Sequence, residues 1–109
     1  MVKQGTIIKV NFNPQAGHEQ AGYRPAVVIS NNIFNEKTNL TIVCPITNTN
    51  NHFPLHIPLD ERTQTTGVIL CEHIKALDLK NRKYQEVECL PEDILSKAIN
   101  VVYSQIEKI

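Results

Sequence analysis

The hydrophobic period of this chain changes once, at Pro91. Before that proline, apolar residues come in short, often β-branched runs: TIIKVNF (6–12), RPAVVIS (24–30), LTIVCPIT (40–47) and LHIPL (55–59). Stretches rich in Gly, Asn, Thr and Pro separate them. Such runs read as strands, the first alternating so that Ile8, Val10 and Phe12 share one face of a half-buried strand. The prolines of LHIPL confine that run to an edge. VILCEHIKALDL (68–79) is strand-like with a break near Glu72, and KNRKYQEVECL (80–90) holds a basic turn and one more short strand. Beyond Pro91, Ile94, Leu95, Ala98, Ile99, Val102 and Ile106 recur at three- and four-residue spacing, which predicts an amphipathic helix. Pro91 suits its first position, and Glu92 and Asp93 complement the dipole at its start. Short strands followed by one closing helix predict a mainly β fold, a small curved barrel capped by that helix.

The chain's 109 residues fit one domain with a modest core, and no linker or repeat divides residues 1–109. Eleven basic residues balance eleven acidic ones, so bulk charge cannot drive polyanion binding and a nucleic-acid site needs locally clustered cations. Cys44, Cys71 and Cys89 are odd in number, widely spaced and set in apolar contexts. They read as reduced structural thiols of a cytoplasmic protein. No apolar segment reaches the ~20 residues of a membrane span, and MVKQGTIIKV is not a signal peptide.

His52 and His56 are four apart, but Phe53, Pro54 and Leu55 between them oppose a helix, where that spacing would matter. No Cys-x-x-Cys is present either. The histidines read as exposed loop residues, and neither a metal nor a cofactor is expected. No Gly-x-Ser-x-Gly elbow supports acyl transfer.

More chemistry lies in GHEQAGYRPAVVIS (17–30), where polar and ionisable groups stand at the mouth of a buried strand. Glu19 is a potential proton acceptor, and Arg24 is a permanent cation whose planar fork suits a phosphate. Pro25 fixes an extended backbone beside Arg24, while Gly17 and Gly22 let the preceding loop bend. The same residues also fit a surface ion pair of little worth. The loop after the third strand, TNTNN (47–51), offers a hydroxyl and amides that can hydrogen-bond phosphate or base edges, although asparagines are also good turn formers. If the strands starting at Arg24 and ending at Thr47 are antiparallel neighbours, a cation, a carboxylate and a hydroxyl converge at one barrel end.

GTIIKVNFNPQAGHEQAGYRPAVVIS, followed by VCPIT and GVILCEHIKALD, resembles the MazF/PemK (Kid) family of type II toxin–antitoxin ribonucleases. Glu19, Gln20, Gly22, Arg24, Pro25 and Thr47 carry the most specific part of the likeness. The resemblance implies an SH3-like barrel, a homodimer, and metal-independent cutting of single-stranded RNA at short sequences. It also implies Arg24 and Thr47 as a catalytic pair, Glu19 as a supporting or base residue, and a cognate antitoxin whose acidic tail fills the RNA groove. Tyr23 and Phe53 could stack unpaired bases, as could Phe12 if it is not core, while Gln20, Asn31, Asn48 and Asn50 could read base edges. Lys75, Lys80, Arg82 and Lys83 would steer RNA or simply form a solvated basic turn. The alternatives are a gyrase-poison toxin of the CcdB type, which the absence of tryptophan and the chain end IEKI oppose, and a silent RNA-binding barrel.

Overall fold

The computed structural model describes residues 1–13, 22–49 and 52–109. Its strands are β1 (Thr6–Asn11), β2 (Tyr23–Val28), β3 (Thr41–Thr47), β4 (His56–Pro58), β5 (Val68–Leu70), β6 (Lys75–Leu77) and β7 (Tyr84–Cys89). A helix, α1 (Asn32–Thr38), joins β2 to β3, and α2 (Glu92–Ile106) closes the chain. All pairings are antiparallel, in the order β4-β5-β3-β2-β1-β7, with β6 also beside β3. The mainly β architecture with a C-terminal helix is therefore as the residue pattern predicts. Among the described residues, no helix is long and apolar enough to cross a membrane.

β3 is the hub. Its end pairs with β5 through Ile46–Ile69 and Thr47–Val68, and its beginning pairs with β6 through Val43–Lys75. Three residues along β3, from Ile46 to Val43, are thus matched by six from Ile69 to Lys75, and a 3-10 turn at Cys71–His73 takes up the excess. The interruption expected near Glu72 is this turn.

No ladder joins the outer strands β4 and β7 among the described residues. Side chains bridge them instead. Glu88 on β7 accepts hydrogen bonds from the backbone N–H groups of Gln64 and Thr65 and from the Thr65 hydroxyl, all in the β4–β5 connection. Arg62 of that connection grips Asp60 and reaches Asp93 at the start of α2, each through two nitrogens or more.

The central strands are covered on both faces, because alternate residues feed two clusters. Ile7, Val27, Cys44, Ile46 and Ile69 pack with Ile94, Leu95 and Ala98 of α2. Ile8, Val10, Phe12, Ala26, Val28, Val43 and Leu77 form the second cluster. β1 is therefore not half-buried as expected: α2 covers the Ile7 face as well, and Phe12 is core. Pro91 caps α2 from an extended conformation (φ −56°, ψ 141°), so the helix begins one residue later than its proline suggests. The polar NNIFNEKTN segment (31–39) holds α1, with Asn35 buried in it. Its amide donates to the carbonyls of Val2 and Ser30, and Asn31 caps the start by accepting from the Phe34 N–H at 2.8 Å.

Candidate active site

The strand ladder assembles the site. Ala26 faces Pro45 across β2 and β3, and the same register carried two residues further sets Arg24 opposite Thr47. Thr47 in turn faces Val68, and His56 on β4 faces Leu70 on β5. Gly22, with φ of 78°, turns the chain into β2 just before Tyr23 and Arg24, a conformation that favours glycine. Arg24 is exposed and Thr47 half-buried, so both are anchored by a buried strand while their functional groups face outward.

A cleft of about 370 Å³ is lined by Arg24, Thr47, Thr49, His56, Leu70, Glu72 and His73. The 3-10 turn delivers Glu72 and His73 to it. His56 Nε2 lies 2.8 Å from Glu72 Oε2, and His73 Nε2 lies 3.9 Å from the same oxygen. The His56 side chain is only 7% exposed, against 29% for Glu72. Phe53 meets the His56 ring edge-on at 5.3 Å. His56 Nδ1 has no hydrogen-bond partner among the described residues. Thr47 Oγ1 accepts the N–H of Thr49 at 3.2 Å, which leaves its own proton available to an incoming oxygen. The result is a cation, a hydroxyl, a carboxylate and two imidazoles around one opening. Among the described residues, no group of three His, Cys, Asp or Glu is arranged to hold a metal ion.

Gly67 lets β5 approach Thr47. A Cβ built on it would lie 2.2 Å from the Thr47 carbonyl oxygen, and its φ is 116°. No other residue type fits there without moving the backbone that carries Thr47.

Residues 3–105 match the family model described as PemK-like, MazF-like toxin of type II toxin-antitoxin system. The chain belongs to the PemK/MazF toxin family. It is similar to endoribonuclease PemK of Escherichia coli, at 33% identity over 102 residues, covering 90% of this chain and 77% of that one. It is also similar to the crystal structure of MazF from Deinococcus radiodurans, with a TM-score of 0.90, 33% identity and 96% of each chain covered. A MazE–MazF crystal structure from the same organism matches with a TM-score of 0.84 and 30% identity, over 96% of this chain and 95% of that one. The chain is thus an endoribonuclease toxin of a type II toxin–antitoxin system.

In this PemK/MazF-family toxin, the structure brings Arg24 and Thr47 into one cleft, with Phe53 beside it through its contact with His56. Glu19, Gln20 and Asn50 lie outside the described residues. Tyr23 lines a separate, larger hollow of about 560 Å³ with Asn11, Asn13, Asp78, Asn81, Arg82 and Lys83. Asn48 accepts from the Thr66 hydroxyl at 2.8 Å and borders a third hollow. Asn31 is occupied as the cap of α1, past the opposite end of β2 from Arg24. Lys75 stands on β6 opposite Val43 and does not line the cleft.

His56, Glu72 and His73 were not legible as site residues. His56 looks like a loop histidine in sequence, yet it is a strand residue pinned under Phe53, because β4 pairs with β5. One signal was available: a carboxylate interrupting an otherwise apolar run at Cys71–Glu72. The thiols of Cys44 and Cys71 are buried as expected, but Cys89 is exposed on β7.

Proposed function

We propose that this toxin cleaves single-stranded RNA, mRNA in the first place, at short specific sequences without metal or cofactor, so halting translation and growth. The observation that carries the reading is the convergence of Arg24 and Thr47 on one cleft, beside the Glu72 carboxylate. The RNA 2′-hydroxyl attacks the adjacent phosphate and expels the 5′-oxygen, leaving a 2′,3′-cyclic phosphate and a 5′-hydroxyl. This nucleophile is already positioned on the substrate, so the protein need only orient the phosphate and stabilise its charge. Arg24 stabilises charge on the phosphate oxygens, since a pKa above ~12 suits it to electrostatics rather than proton transfer. Thr47 donates to a non-bridging oxygen. Glu19 polarises the nucleophile or orients Arg24, and Glu72, held by His56, is a second carboxylate at the cleft for proton transfer. Phe53 offers an aromatic surface for an unpaired base, with Gln20, Tyr23, Asn48 and Asn50 as further RNA contacts, whereas Asn31 and Lys75 would meet only RNA that runs beyond the cleft.

Residues 1–109 act as one toxin domain, working in the cytoplasm as a homodimer. Its partner is a cognate antitoxin; the family description and the MazE–MazF likeness support this. The antitoxin's acidic tail would occupy the RNA groove as a polyanion mimic.

The test is an RNA oligonucleotide containing one cleavage site. Cutting should survive excess EDTA and leave cyclic phosphate ends. It should stop when a deoxynucleotide replaces the residue 5′ of the cut, while binding persists. Cutting of the deoxy-substituted strand, or a requirement for Mg²⁺, would overturn the mechanism.

A further inference from the structure

We propose that the hollow of about 560 Å³ beside Tyr23 is a second nucleotide site, which holds single-stranded RNA on one flank of the cut through Tyr23, Arg82 and Lys83. This role rests on the ribonuclease reading of the neighbouring cleft. Tyr23 and Arg24 are consecutive residues of β2, yet Arg24 lines the cleft with Thr47 while Tyr23 lines this hollow. Adjacent residues have Cα atoms only ~3.8 Å apart. An RNA strand whose phosphate meets Arg24 therefore brings a neighbouring nucleotide within reach of the Tyr23 ring.

The walls suit a nucleotide. Tyr23 is 52% exposed, so its ring is open to stacking, which every base can supply. Asn11 faces Tyr23 across β1 and β2. The Asn11 side-chain oxygen accepts from the Asn13 N–H at 2.9 Å, and the Asn13 side-chain oxygen accepts from the Gly22 N–H at 3.0 Å. Both amides thus keep their NH2 donors for a base edge or a phosphate.

The chain as a whole is neutral, so a cationic wall is a local feature. Arg82 Nη1 donates to the carbonyls of Asn11 and Asn13, at 2.9 Å each, which fixes the guanidinium at the end of β1 without neutralising it. Among the described residues, no carboxylate forms an ion pair with Arg82 or Lys83. Asp78 shares the hollow, but its oxygens accept from the Lys80 N–H at 3.1 Å and from the Asn81 amide at 2.7 Å. Two cations, an aromatic ring and amide donors are the groups with which proteins hold single-stranded nucleic acid.

The experiment uses the full chain and two RNA oligonucleotides, one trimmed to the cleavage sequence and one extended on both sides. The unaltered protein should cut the extended strand about 10- to 100-fold better in kcat/KM, the worth of a stacked base. Tyr23→Ala should erase that ratio, and Tyr23→Phe, which keeps the ring, should preserve it. Both strands are cut by one sample, so the ratio does not depend on how much of a variant is folded. Arg82 is left in place because it also ties the end of β1. Binding of the extended strand with a deoxynucleotide at the cut, followed against salt, should lose about 0.7 from its log–log slope in Lys83→Ala. No gain from extension in the unaltered protein, a gain that survives Tyr23→Ala, or a slope unmoved by Lys83→Ala would each overturn the proposal. If the ribonuclease reading failed instead, the unaltered protein would cut neither strand, while the deoxy-substituted strand would still report binding at the hollow.

Discussion

Arg24 and Thr47 stand at the outer ends of their strands, where a side chain can be removed without opening a core cavity. Arg24→Ala and Thr47→Ala should each lower RNA cleavage by about 10²–10³, the usual cost of removing a preorganised donor to a developing oxyanion. Stability should stay within about 0.5 kcal/mol, as at most non-core positions. Cleavage assays beside melting curves check both statements, and a native rate in either variant would remove that residue from the site. Gly67 makes the opposite case, acting through backbone. Its φ of 116° and the 2.2 Å approach of its would-be Cβ to the Thr47 carbonyl leave no room for alanine. Gly67→Ala should cost at least about 1–3 kcal/mol of stability and reduce cleavage together, because β5 must move away from Thr47. Chemical denaturation and a rate measured well below the transition separate the two effects.

At the scale of elements, the β4–β5 connection joins one sheet edge to the other and to the start of α2. The Arg62 guanidinium holds the Asp60 and Asp93 carboxyls below their usual range. Burial opposes ionisation of Glu88, but hydrogen bonds from Thr65 and Gln64 outweigh it and lower that carboxyl too. Groups with depressed folded-state pKa values stabilise the native state above their unfolded values of about 4, and that contribution is lost as pH falls through the folded values. The melting temperature should therefore drop steeply below about pH 4. Arg62→Ala should make this acid limb shallower while changing little near neutrality, since exposed pairs contribute modestly and are screened by salt. A melting series across acid pH, in low and high salt, checks it. An acid limb of unchanged steepness in the variant would remove Arg62 as the cause.

On the whole molecule, α2 buries Ile94, Leu95 and Ala98 but leaves Tyr103 63% and Ile106 70% exposed, with Val101 and Val102 half-covered. One sheet of this size does not cover the end of its own helix. Two-fold pairing is the commonest way to bury such excess, so a symmetric dimer is expected at micromolar concentration. Light scattering that returned a monomer mass of 12.3 kDa would count against it.

Local pattern and a family likeness made much of this readable without coordinates. The change of period at Pro91 separates strands from helix because side-chain spacing within an element depends only on its own backbone geometry. Arg24 stood out because a charged residue beside a buried strand is a local anomaly, while its pairing with Thr47 came from the family likeness. What pairing decided is different in kind. Ile7 is core only because α2 folds back over it, and His56 is sheltered only because β4 finds β5, with Glu72 brought to it by a turn sixteen residues along the chain. Cys44 and Cys71 joined one buried cluster in the same way, through pairing of segments distant in the chain. Contacts between distant segments depend on how the whole sheet is ordered, and only the tertiary structure settles that order.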